Sequence, residues 1–289
     1  NNSVLWNNGK QLVNKGTYYI LSYDGRLYNI ILNEEGLKLD ERVKEISSKK
    51  YSSFSVSSSH LATNEGKVFT YESVTPGGCT LFQHLDSKTS MSKIRQGNWD
   101  YVILQEQSQL PSIDYYRHNA MKPAYKSLYD SIMHYNPNAK VVGYMTWGRL
   151  HGGQQCVNFG DGVYCSADFV DFNHMQDTLT AAYCENAYAT NSYVAPVGEA
   201  WRAALAADPN LVLHSNDNSH PSYDGSYLAA CIFYSVFWNK SSIGIYHDKQ
   251  INDTKAELLQ TIFMPRTPLH DGAVVIGDNK IKNYRGNFS

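Results

Sequence analysis

The chain has 289 residues, 42% hydrophobic and 18% charged, which is long enough for one large domain or two small ones around a sizeable core. Its formal net charge is −2, with no basic block and no acidic tail, so nucleic acid and anionic membrane surfaces are excluded as expected partners. No apolar run reaches the roughly 18 residues a membrane-spanning helix needs, and the most apolar stretch, Tyr227 to Trp238, reads as a buried helix.

From Asn1 to about Glu35 the pattern is that of strands. VLW, TYYILS and LYNIIL are separated by Asn8-Gly9 and Asp24-Gly25, dipeptides that suit tight hairpin turns because both positions tolerate positive φ. From Lys38 to Ser59 Lys, Glu and Ser dominate, a linker composition. From Val68 onward strands and helices alternate. VFTYESV reads as a strand running into the Pro76-Gly77-Gly78 turn, WDYVILQEQ from Trp99 as a buried strand, and Ala120 to Tyr135 as a helix. AKVVGYMTW reads as the next strand, Asp168 to about Ala189 as a long helix, TNSYVAPVG as a further strand, and Gly225 to Phe237 and Lys255 to Phe263 as helices. Such alternation predicts a parallel sheet with helices on both faces and a site at the carboxyl ends of its strands.

Five cysteines without a CxxC exclude a dense disulfide scaffold and a zinc module. Cys156 and Cys165 flank VNFGDGVY, and both a disulfide closing that loop and two free thiols remain open. The chain opens on Asn1 rather than Met, which reads as a processed or partial chain. Asn-x-Ser/Thr triplets at Asn1, Asn239, Asn252 and Asn287 lean the expected compartment toward secreted or periplasmic.

The chemistry-bearing segment is SNDNSHPSYDGSYL, in which Asp217 and His220 stand three apart in a polar loop ahead of an apolar helix. A carboxylate on one imidazole nitrogen fixes the tautomer and leaves the other nitrogen to act as a base. The bland alternative is a surface Asp and His in a helix-capping loop. Zinc ligation by His214, Asp217 and His220 is a further alternative without a supporting ligand set, so no metal is expected.

This segment resembles the last motif block of SGNH (GDSL-like) hydrolases. TYESVTPGGCTLFQHLD and GNWDYVILQEQSQLPS resemble the second and third blocks, and VAPVGEAWRAAL also fits, so that the likeness runs in order over about residues 62–238. The resemblance implies a flavodoxin-like three-layer α/β sandwich and a Ser-His-Asp ester hydrolase without metal or organic cofactor. It implies Asp217 and His220 as acid and base, Gly78 as the block-two oxyanion donor, and Gln107, from the LQEQS form of block three, as the amide donor. The nucleophile implied is Ser53 in YSSFS, where Tyr51 and Ser52 depart from the family's Gly and Asn; a Ser-rich linker and an inactive domain are the alternative. Tyr144, Trp147 and His151 are candidate pocket-lining residues, with simple packing as the alternative.

Two flanking likenesses are shorter. Residues 4–35 resemble the middle strands of an I-set immunoglobulin domain without its cysteines. Residues 245–289, with TPLHDGAVVI, resemble part of a diadenylate cyclase domain, in which Asp271 would bind a metal. The expected organisation is a β-hairpin segment over 1–37, a linker or degenerate first block over 38–60, an SGNH-like domain over 61–240 and a cyclase-like fragment over 241–289. The expected substrate is a small-molecule or carbohydrate ester, with O-acetyl groups foremost; an inactive binding scaffold and a nucleotidyl transferase fragment are the rivals.

Overall fold

The computed structural model describes residues 71–247 and 250–262 with their side chains, and the backbone of eight strands outside those ranges. Two compact units divide the chain, Asn1–Ser52 and Ser53–Ser289.

In the first unit β1 (Trp6–Asn7) and β2 (Lys10–Gln11) pair antiparallel, and β3 (Gly16–Leu21), β4 (Leu27–Asn33) and β5 (Gly36–Leu39) form an antiparallel sheet in chain order. The expected turns at Asn8-Gly9 and Asp24-Gly25 lie outside the described residues, although the strands on either side of each are paired. Strand β5 adds to β4 as the third strand of that sheet, and the β1–β2 pair is a separate sheet.

The second unit is built on β6 (Tyr101–Leu104), β7 (Lys140–Tyr144) and β10 (Tyr193–Ala195), which pair in parallel with β7 in the middle. β11 (Thr267–Pro268) adds to β10 antiparallel. The ladder explains the apolar runs seen in the sequence, because both faces of the sheet are covered. Along β7, Val142 and Tyr144 point into one core and Val141 and the following Met145 into the other, the two-residue period of a strand. The first core is closed by α5 (Val197–Ala207), α6 (Tyr223–Trp238) and α7 (Asp253–Thr261). The second is closed by α1 (Leu81–Asp86), α2 (Lys88–Arg95), α3 (Lys122–Tyr135) and α4 (Phe172–Thr190). The result is the three-layer α/β sandwich that strand–helix alternation predicts.

Several expected elements are corrected. Tyr71–Val74 is not a strand; the segment runs irregularly into the Gly77-Gly78 turn. The long helix begins at Phe172 rather than Asp168, because β9 (Val163–Phe169) pairs antiparallel with β8 (Gly153–Asn158) and Asp171 caps the helix by accepting from the His174 amide. Cys156 and Cys165 face each other across this hairpin and are joined by a disulfide. Helix α3 follows a π-helical turn, Arg117–Met121, so the regular helix starts two residues later than its apolar spacing suggests. Among the described residues no helix is long and apolar enough to cross a membrane.

One glycine decides how the base of the candidate site packs. A Cβ on Gly225 would lie 2.4 Å from the Leu213 carbonyl oxygen and 2.5 Å from the Trp201 ring. The first turn of α6 therefore rests directly on the segment that leads into the Asp217 loop. Gly225→Ala is expected to destabilise the protein by about 3 kcal/mol, the upper range for overpacking a tight contact. Urea unfolding would show it as a lower midpoint at unchanged slope; an unmoved midpoint would mean the approach is not this close.

Candidate functional site

Asp217 and His220 sit in a loop closed by short-range bonds. Ser215 N donates to His220 O at 2.8 Å, Ser222 N to Leu213 O at 2.7 Å, and Asn218 occupies the left-handed region at φ 59°. Within this loop both oxygens of the Asp217 carboxylate are engaged. Its Oδ1 accepts from Ser215 Oγ at 2.9 Å, Ser219 N at 2.9 Å and His220 N at 2.8 Å, and its Oδ2 takes His220 Nδ1 at 2.5 Å. The bond from the His220 ring, then the His220 and Ser219 amides, hold the Asp217 carboxyl far below the usual carboxylate range. The His220 side chain is 79% exposed, so Nε2 faces solvent and is open to a substrate or a nucleophile. Asp217 and His220 thus form a hydrogen-bonded pair within one loop.

The loop is braced from behind. Trp147 Nε1 donates to Ser219 O at 2.8 Å, Leu150 N donates to Asn218 O at 3.1 Å, and the Trp147 ring stacks on Trp201 with centroids 4.2 Å apart. Tyr144 is buried against Phe233 in the core, so of the three expected pocket-lining residues only His151 is exposed, and Trp147 is a brace. His214 is buried with Nε2 donating to Gly148 O at 2.9 Å, and burial lowers its pKa. Among the described residues no group of three or more His, Cys, Asp and Glu is arranged to hold a metal ion. Gly148 is in turn held by Gln176, a fully buried amide whose Oε1 accepts from Gly148 N at 2.9 Å and whose Nε2 reaches Thr146 O at 3.3 Å.

At the carboxyl end of β6 lie the expected oxyanion donors. Gly78 has φ 70° in the turn closed by Cys79 N donating to Pro76 O at 3.2 Å. A Cβ there would meet nothing within 4 Å, so the backbone, not space, requires glycine. The exposed Gly78 amide has no partner among the described residues. The Gln107 side-chain oxygen accepts from Gln109 N at 3.0 Å and Leu110 N at 3.2 Å, which orients the amide and leaves its NH2 group as the outward donor. Gln109 Oε1 accepts from Arg149 Nη2 at 3.0 Å, and Arg149 is close enough to Asp217 to feel its charge. Arg149 thereby links the Gln107 loop to the Asp217 loop. Ser53 and Asp271 lie outside the described residues.

Sequence reasoning missed Glu106. It is 1% exposed, and burial pushes its carboxyl up to about 7 despite bonds from Gln107 N, Leu81 N and Tyr116 Oη. In LQEQS it reads as one polar residue among glutamines, and only the helices packed over it reveal its burial.

The fold and site geometry define a mixed α/β protein with a hydrogen-bonded Asp–His pair whose loop is braced by the segment that follows β7, the middle strand of the parallel sheet. Among solved structures it is similar to a DUF4886 family protein from Bacteroides uniformis ATCC 8492, with TM-score 0.53 and 17% identity over 72% of this chain and 89% of that one. A "putative SGNH hydrolase" from Slackia heliotrinireducens gives TM-score 0.46 and 23% identity over 61% of this chain and 88% of that one. The former likeness shows a shared fold. The family model described as DisA bacterial checkpoint controller nucleotide-binding matches residues 236–287, as expected for the cyclase-like flank. No curated protein matches the chain.

The matched flank begins inside the α/β unit. Ala256 and Leu259 of α7 join the core around α6, Gln260 Nε2 donates to Tyr227 Oη at 2.7 Å, and Lys255 Nζ pairs with Asp224 at 2.7 Å.

Proposed function

We propose that the chain is a serine ester hydrolase acting on small acyl esters, with carbohydrate O-acetyl groups as its substrate class. The observation that carries this reading is the Asp217–His220 pair, with Nδ1 held by the carboxylate and Nε2 open. Ser53 Oγ attacks the ester carbonyl while His220 Nε2 takes its proton, and Asp217 stabilises the imidazolium so formed. The Gly78 amide and the Gln107 NH2 group receive the negative charge on the tetrahedral oxygen. Collapse expels the alcohol, protonated by His220, and water then frees the acid from the acyl-serine by the same relay. Support for the carbohydrate class comes from aromatic surface beside the disulfide hairpin, where Tyr115 stacks on Tyr164 with centroids 3.4 Å apart and Phe159 is exposed.

The test is hydrolysis of an activated acetate ester by the wild type, Ser53→Ala and His220→Ala. Loss of turnover in both variants supports the reading. Loss in His220→Ala alone moves the nucleophile to another serine. No turnover above background in the wild type favours the second reading, an inactive scaffold binding carbohydrate through the Tyr115–Tyr164 surface.

A further inference from the structure

We propose that Glu106 is a positioning residue that locks the Gly78 turn to the Gln107 loop through one carboxylate oxygen, setting the two oxyanion donors relative to each other. Its kinetic consequence rests on the ester-hydrolase reading above; its structural consequence does not.

Glu106 Oε1 accepts from Leu81 N at 3.2 Å and from Gln107 N at 2.8 Å. Leu81 opens α1, and only Cys79 and Thr80 separate it from Gly78. The start of that helix is itself rigid, because Thr80 and Gln83 exchange side-chain and backbone bonds in a capping box. Holding Leu81 N therefore holds the Gly78 turn. Gln107 N belongs to the residue whose amide is the second donor, so one oxygen ties both segments.

A buried position at the end of an apolar strand would ordinarily take an aliphatic side chain. Here an aliphatic residue would leave two backbone N–H groups from different segments without this acceptor, and burying an unpaired donor is costly. The remaining surroundings complete the cradle. Tyr116 Oη lies 3.4 Å from Oε2, and the Tyr183 hydroxyl accepts from Glu106 N at 3.2 Å. Among the described residues the titratable groups facing the carboxyl are Cys79 from the turn, Tyr116 from the segment before α3 and Tyr183 from α4, none of them a cation. Burial outweighs these bonds and pushes the carboxyl up to about 7, so it is half ionised near neutrality. In its ionised form it places a negative charge behind the donors that must receive an oxyanion, which opposes the transition state.

The experiment follows the Leu81 and Gln107 amide resonances by 15N NMR from about pH 5 to about pH 9, a range that brackets the Glu106 titration. Wild type, Glu106→Gln and Glu106→Leu are compared, and kcat and KM are measured on the activated ester. In the wild type both amides are expected to shift together with a midpoint near 7, and in Glu106→Gln neither should titrate. Glu106→Leu is expected to lower kcat by about 10–100-fold with KM little changed, less than the loss of a whole oxyanion donor. Glu106→Gln, whose amide oxygen still accepts both N–H groups, should restore kcat and remove the decline in rate above neutrality. Amides that stay flat in the wild type, or that still titrate in Glu106→Gln, overturn the lock whatever the activity. Amides that titrate in a wild type without ester hydrolysis uphold the lock and remove the hydrolase reading alone. Should Glu106→Leu fail to fold, the wild-type and Glu106→Gln titrations decide the matter by themselves.

Discussion

Asp217→Asn is expected to reduce ester hydrolysis by about four orders of magnitude while leaving the fold unchanged. The reason lies in how the loop divides the carboxylate. Oδ1 is surrounded by three donors, Ser215 Oγ, Ser219 N and His220 N, whereas Oδ2 sees only the His220 ring. An asparagine in the same loop turns its carbonyl oxygen toward those three donors, because its NH2 group there would face three N–H or O–H groups. The NH2 group is then left against His220 Nδ1. It donates where the carboxylate accepted, so Nδ1 must carry the lone pair and the ring proton moves to Nε2. A His220 protonated at Nε2 has no lone pair with which to take the serine proton.

The fold should survive, because all three Oδ1 bonds are kept and both side chains are largely exposed. The measurements are kcat/KM on an activated acetate ester and the far-ultraviolet circular dichroism of both proteins. A variant within tenfold of the wild type, equally folded, would remove Asp217 from the mechanism. Ionisation of Asp217 imposes no acid limb of its own near neutrality, because the His220 ring and the loop amides hold the carboxyl well below its ordinary range.

What the sequence made legible was local. Asp217 and His220 meet across three residues of one loop, so their spacing in the chain nearly determines their spacing in space. The strand pairs β1–β2 and β3–β4 join segments close in the chain and work the same way, and so do the apolar runs of β6 and β7, which pack into a core on each face. Gly78 was legible as a turn because positive φ leaves few alternatives to glycine.

What depended on distant segments was not legible. Trp147 has the look of a pocket wall in sequence, yet it stacks on Trp201 and holds Ser219, residues 54 and 72 positions away. Tyr71–Val74 reads as part of a strand in sequence, yet its backbone is irregular and joins no described sheet. The hairpin of β8 and β9 hides its pairing behind polar, Gly-containing sequence, and its tip, VNFGDGVY, reads as a loop between two cysteines. Glu106 is the sharpest case. Its neighbours Leu81, Tyr116 and Tyr183 come from three separate segments, and no pattern within LQEQS distinguishes it from Gln105, which is exposed.

Glu106→Gln is expected to gain about 3 kcal/mol of stability over the wild type as pH rises from 4.5 to above 7. The folded carboxyl binds its proton up to about 7, whereas in the unfolded chain it releases it near 4.5. Between those values the folded state carries the extra proton, so wild-type stability falls as pH rises and levels off once both states are ionised. Each tenfold difference in proton affinity is worth about 1.4 kcal/mol, which gives the figure. The substituted glutamine keeps the acceptor for Leu81 N and Gln107 N and never ionises, so the variant escapes this loss. The comparison must be a difference between two proteins, because other groups titrate in the same range with the opposite sign. His84 and His214 have pKa values lowered by burial, so each adds stability as pH rises through the ordinary histidine range. Those contributions are common to both proteins and cancel. Cys79, Tyr116 and Tyr183 are all pushed upward and titrate above the window. Urea midpoints at about pH 5 and about pH 8 measure the divergence. Parallel curves would mean that Glu106 is already ionised in the folded state near pH 5, which requires a cation or water beside it that the cradle of Tyr116, Tyr183 and two amides does not supply.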